Sequence, residues 1–139
     1  PTTALDVMVE AQILELLDGR RREPDLGLIM VTHPPGVVAE TCQSVLVMYG
    51  GRVAEHGPVD EVFASPRHPY TRRLLGAFPD LGRPDAELVG IPGSPPRLSD
   101  LPPGCRFHPR CELATERCRA EAPALVKVGP AHRAACHYV

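Results

Sequence analysis

No apolar run in the chain approaches the roughly 20 residues that a helix needs to cross a bilayer. The first residues also lack the basic stretch, apolar core and small-residue cleavage site of an export signal. A membrane-spanning helix is therefore excluded, and a cytoplasmic setting is the expectation. Net charge is nearly absent as well, with 15 Lys+Arg against 17 Asp+Glu. That balance hides a division: residues 1–100 hold 9 basic and 14 acidic side chains, while residues 101–139 hold 6 and 3. A tail with that small basic excess is more often a solvated face than a phosphate-binding one, so no nucleic-acid partner is expected. Cysteine is missing from most of the chain. Only Cys42 precedes the group Cys105, Cys111, Cys118 and Cys136, and in a reducing compartment such clustering favours a metal site over disulfides.

The 139 residues, 43% of them hydrophobic, amount to one domain or part of a larger one. Val9, Ile13, Leu16 and Leu17 form one stripe of an amphipathic helix over 6–17, with Asp6 placed to cap it and the stripe expected to pack on a core. The apolar run from Leu26 to Val31, bounded by polar residues and Pro34, predicts a strand buried on both faces, with Thr32 and His33 at its end. A short helix over 36–42 follows. Two strand-like runs, Ser44 to Tyr49 and Arg52 to Glu55, flank Gly50-Gly51, a hairpin signal because glycine accepts the positive φ of a tight turn. Helical segments are expected over 58–64 and 69–77, the second with proline at its first position.

From Pro79 to Pro109 the chain carries 8 prolines in 31 residues, the mark of an extended linker. Three parts result: 1–78, a proline-rich linker over 79–103, and a cysteine-clustered extension over 104–139. The extension has too little apolar content for a core of its own, so something other than burial must hold it.

Pro1-Thr2-Thr3-Ala4-Leu5-Asp6 ahead of a helix, then Leu28-Ile29-Met30-Val31-Thr32-His33 at a strand end, resembles the ABC-transporter ATPase domain downstream of its second acidic nucleotide motif. The resemblance narrows at Val47-Met48-Tyr49, Gly51-Arg52-Val53, Glu55, Gly57-Pro58-Val59, Pro66 to Thr71, Ile91 to Pro96, and the tail Pro103-Gly104-Cys105-Arg106-Phe107 and Pro109-Arg110-Cys111. This string is similar to the oligopeptide and dipeptide importer branch. The fold it implies is α/β: the C-terminal part of an ABC-type ATPase domain of the phosphate-loop class, plus the small cysteine-clustered extension.

The resemblance also implies roles. His33 would contact the γ-phosphate of ATP, donating a hydrogen bond and helping to hold the attacking water. Asp6 would lie in the loop that crosses a dimer interface toward the partner's ATP. The whole protein would use ATP and Mg, pair with a second ATP-binding subunit, and drive peptide import through membrane permease subunits fed indirectly by a peptide-binding protein. It would sit on the cytoplasmic face of the membrane. Two departures bear on activity. Pro34-Pro35 follows His33 where the family has Asp, and proline fixes φ and removes a donor near the phosphate. No G-x-x-x-x-G-K-[ST] loop, glutamine loop or Ser-Gly-Gly signature is present. Without backbone amides and a lysine around the phosphates, the chain as given is expected neither to hold ATP tightly nor to hydrolyse it.

The cysteines follow C-x5-C-x6-C-x17-C, which differs from the paired C-x2-C knuckles of common zinc sites. Four soft thiolates suit zinc or an iron–sulfur cluster, and unligated thiols remain a third reading. The resemblance implies a 4Fe-4S cluster on Cys105, Cys111, Cys118 and Cys136, with zinc as the alternative. Two rival functions differ in class: a stand-alone four-cysteine metal-binding interaction module without nucleotide chemistry, and a zinc-dependent nucleic-acid binder with steep salt dependence.

Overall fold

The computed structural model of the chain describes residues 7–21, 27–78 and 90–139. Two compact units are present, Pro1–Thr41 and Cys42–Val139.

In the first unit, α1 (Val7–Arg21) runs past its expected end, and its expected cap Asp6 lies outside the described residues. The packing expected of its stripe is not found: Val9 and Leu16 are exposed, and Ile13 and Leu17 only half-buried. Nor is there a strand over 27–31, where Ile29 is 93% and Val31 86% exposed. The physical reason is plain. A strand buried on both faces needs hydrogen-bonded neighbours, and no described strand of this unit supplies one. The chain then turns into α2 (Pro35–Thr41), which starts on a proline whose fixed φ suits a first helical position.

The second unit is built on the expected hairpin of β1 (Ser44–Tyr49) and β2 (Arg52–Pro58). Gly50 and Gly51 make the two-residue turn with φ of 54° and 77°, the left-handed pair that matches strand twist. A register shift between Val47 and Met48 adds one residue on β2. Helices α3 (Val59–Ala64) and α4 (Pro69–Gly76) follow where the sequence places them.

Beyond the linker come a 3-10 turn (His108–Arg110), α5 (Glu116–Ala120), β3 (Val126–Lys127) and β4 (Arg133–Ala134). The sheet is antiparallel throughout, in the order β1-β2-β4-β3, so the end of the chain extends the hairpin. Its core is Tyr49, Ala54 and Phe107, with Tyr70, Ile91, Cys105 and Cys111 packed against it. Phe107 comes from the cysteine-bearing segment and is 2% exposed. Burial therefore does hold that segment, contrary to the sequence expectation, because it shares a core contributed by the hairpin and α4. The edge-on packing of Phe107 against Tyr49, with ring centroids 5.1 Å apart, is a favoured aromatic arrangement.

Candidate functional site

Beneath the hairpin lies a buried polar node that the sequence did not announce. Glu55, fully buried on β2, accepts hydrogen bonds from the backbone N–H groups of Arg67 (2.6 Å) and His68 (3.0 Å), and pairs with Nε2 of His132 (2.7 Å). The ring of His132 also faces Glu61, 4.0 Å away. A carboxylate meeting three donors offsets the cost of its burial. Here it ties the entry to α4 and the final loop to one strand.

His68, also buried, caps α4: its Nδ1 accepts from the N–H of Tyr70 at 3.0 Å, the service an N-cap serine usually performs. Burial drives its pKa down from 6.5 to about 4, although the Glu55 charge and a hydrogen bond with the Ala135 backbone pull upward. The neutral ring is the form that can accept at Nδ1.

The four tail cysteines line one cleft, with Pro69, Phe107, His108, Leu113, His137 and Tyr138 around them. They come from three stretches of the chain. Cys105 precedes the 3-10 turn, Cys111 ends it, Cys118 lies on α5, and Cys136 follows β4. The N–H of Cys105 bonds the carbonyl of Cys118 at 2.8 Å, drawing two of these elements together. Burial pushes the Cys105 thiol up, the charges of Cys118 and Cys136 push it further, and the backbone N–H groups of Phe107 and His108 oppose the rise. Cys111 is raised the same way, by burial first and then by Cys105, Cys136 and Cys118, against the N–H of Leu113. Four thiolates in one half-buried cleft repel one another unless positive charge lies among them, and backbone N–H groups already face two of the sulfurs.

Thr115, the N-cap of α5, does not cap with its side chain; its hydroxyl lies 3.6 Å from Cys118 Sγ and 2.6 Å from the Tyr138 hydroxyl. Among the described residues, no three His, Cys, Asp or Glu side chains are grouped so as to hold a single metal ion. The four sulfurs share the cleft without the close convergence that one tetrahedral ion requires.

His33 belongs to the other unit. It is exposed, in the irregular stretch just before α2. Asp6 lies outside the described residues. Sequence reasoning placed Glu55 and His68 in the resemblance and offered His132 as a substitute metal ligand, but it did not foresee the node that joins them. The Pro69 after His68 was the one local clue, since a helix starting on proline needs a cap just before it.

Residues 54–118 match the family described as oligopeptide/dipeptide transporter, C-terminal region. The chain is 51% identical over 136 residues to the oligopeptide transport ATP-binding protein of Salmonella typhimurium, covering 98% of this chain and 40% of that protein. It is 51% identical over 119 residues to the protein of the same name from Haemophilus influenzae, covering 86% and 37%. To the dipeptide transport ATP-binding protein of Escherichia coli it is 44% identical over 138 residues, covering 99% and 42%. The chain thus spans about two-fifths of the length of the curated relatives it matches.

Proposed function

We propose that this chain is part of an ATP-binding subunit that couples ATP hydrolysis to peptide import, on the strength of the match of residues 54–118 to the oligopeptide/dipeptide transporter C-terminal region and of its likeness to oligopeptide and dipeptide transport ATP-binding proteins. The observation that carries the reading is sequence identity of 44% or more across 98–99% of the chain to two such proteins. In the complete protein, ATP and Mg are held by a phosphate loop, two ATP-binding subunits close on each other, and membrane permease subunits respond on the cytoplasmic face. A peptide-binding protein supplies the cargo without touching this chain.

In this reading His33 faces the γ-phosphate and Asp6 approaches the partner subunit's nucleotide. Support for His33 is its exposure two residues ahead of α2, where solvent and an anion could reach the ring. Cys105, Cys111, Cys118 and Cys136 hold a 4Fe-4S cluster, which supplies positive charge to the thiolates and fastens the loops that carry them. The support is the shared cleft and the N–H groups turned toward sulfur. Cys105 and Cys111 also pack on the aromatic core, so the site and the fold stand on the same side chains.

The test uses the full-length subunit with its phosphate loop. His33→Ala is expected to lower ATP turnover by about 100-fold, the scale of a lost acid–base or water-holding group, while ATP affinity stays within about twofold. Wild-type turnover in that variant overturns the role of His33. The 139-residue chain alone is expected to show no tight binding of labelled ATP, and micromolar affinity there overturns the reading of where the phosphates are held.

A further inference from the structure

We propose that Gly104 is the positioning residue of the thiol cleft, the one point at which any side chain would part Cys105 from Cys118. Its φ is +65°, a left-handed conformation that L side chains rarely adopt. More decisive is what surrounds it. A Cβ at this position would collide with the carbonyl oxygen of Cys118 and stand 2.6 Å from the oxygen and 2.8 Å from the carbonyl carbon of Arg119. All three are backbone atoms at the end of α5, not flexible side-chain tips that can swing aside.

The close approach has a product. With residue 104 bare, the next N–H reaches the Cys118 carbonyl at 2.8 Å, so the chain at 104–105 closes the C-terminal turn of α5. That one contact sets Cys105 and Cys118 on the same cleft. The proposal rests on reading the four cysteines as one metal-binding set, and it names the backbone device that assembles the set. An alanine here must push the last turn of α5 away and carry Cys118 with it. The cleft then keeps Cys105 and Cys111 on the aromatic core but loses the register of its third sulfur.

Gly93 provides a matched control. It has nearly the same backbone conformation, φ +71°, but a Cβ there would meet only Arg110 Nε, at the ordinary distance of 3.9 Å. Gly93→Ala therefore carries the conformational strain without the collision, and Gly104→Ala carries both.

The experiment compares the parent chain, Gly104→Ala and Gly93→Ala without oxygen. Each is reconstituted with ferric iron, sulfide and an excess of thiol reductant, and bound iron and acid-labile sulfide are measured per chain. Parent and Gly93→Ala are expected to load alike, and Gly104→Ala at least about tenfold less, the scale on which metal sites respond to lost support. Equal loading in Gly104→Ala overturns the proposal. A second readout needs no metal: a short bifunctional thiol reagent should join Cys105 to Cys118 in the metal-free parent and in Gly93→Ala, but not in Gly104→Ala. If the parent takes up no iron, the cluster reading fails, and the cross-link alone then upholds or overturns the role of Gly104. Amide exchange across β1 and β2 should stay protected in Gly104→Ala. Loss of that protection shows a residue needed for the whole fold and overturns the assignment to the cleft.

Discussion

Replacing Glu55 by alanine removes the acceptor for two backbone N–H groups and for His132, and leaves two of these donors, on His68 and His132, buried without that partner. Breaking one side of a buried charged network costs about 3–5 kcal/mol, because the stranded partners lose both their bond and access to water. That is a large share of the roughly 5–15 kcal/mol that holds a domain of this size. Glu55→Gln should cost less, about 1–3 kcal/mol, since one oxygen still accepts but the amide group now faces another donor. The assay is urea unfolding followed by tyrosine fluorescence. The chain has 3 tyrosines and no tryptophan, and the rings of Tyr49 and Tyr70 lie 4.6 Å apart beside the core. With a urea dependence of about 2 kcal/mol per molar, the alanine variant should lose about 2 M in midpoint, or fail to fold. His132→Ala added to that variant should cost little more, because its partner is already gone. An alanine variant within about 1 kcal/mol of the parent would refute the account of Glu55 as the node joining α4 and the chain end to β2.

Acid should weaken the same region. The His68 pKa is depressed from 6.5 to about 4, so the unfolded chain takes up a proton first as pH falls. Its contribution is complete above 6.5 and is lost on the way down to about 4, by about 3 kcal/mol, measurable as a falling urea midpoint that His68→Asn flattens. Thr71, 1% exposed, has a hydroxyl with no hydrogen-bond partner among the described residues, and Thr71→Val should raise stability by up to about 1 kcal/mol in the same assay. Arg110 holds the carbonyls of Ile91, Pro92 and Gly93 and the Tyr49 hydroxyl. Arg110→Lys keeps the charge but not the planar fork, and limited proteolysis should then cut between residues 90 and 97 several times faster.

The hairpin was legible because two local signals agreed, an alternating strand and a Gly-Gly turn, and both act over neighbouring residues. The helices after it were legible for the same reason, through a proline at the start of α4 and acidic residues in the first turn of α3. The tail strands were not. Each is two residues long, and Val126-Lys127 and Arg133-Ala134 carry no period that a strand signal could show. They exist because β2 offers an edge far away in sequence. The run ending in Val31 misled for the opposite reason: its composition asks for flanking strands, and composition cannot supply them. Glu55 reads as a solvated strand residue until its donors, 12, 13 and 77 positions away, are brought to it. The clustering of the four cysteines was visible, whereas the glycine that lets two of them meet was hidden, since a required lack of side chain looks like any other loop glycine.

The pairing of β4 with β2 sets a schedule for assembly. Glu55 meets His132 across 77 positions, and Cys136 enters the cleft only once β4 has docked. Contacts of such long range form late, after the local hairpin and helices, because a large loop must close first. During synthesis Cys105, Cys111 and Cys118 are delivered before Cys136, so three of the thiols are in place before the fourth. The cleft therefore gains its fourth sulfur only when residues 132–136 have been made and docked on β2.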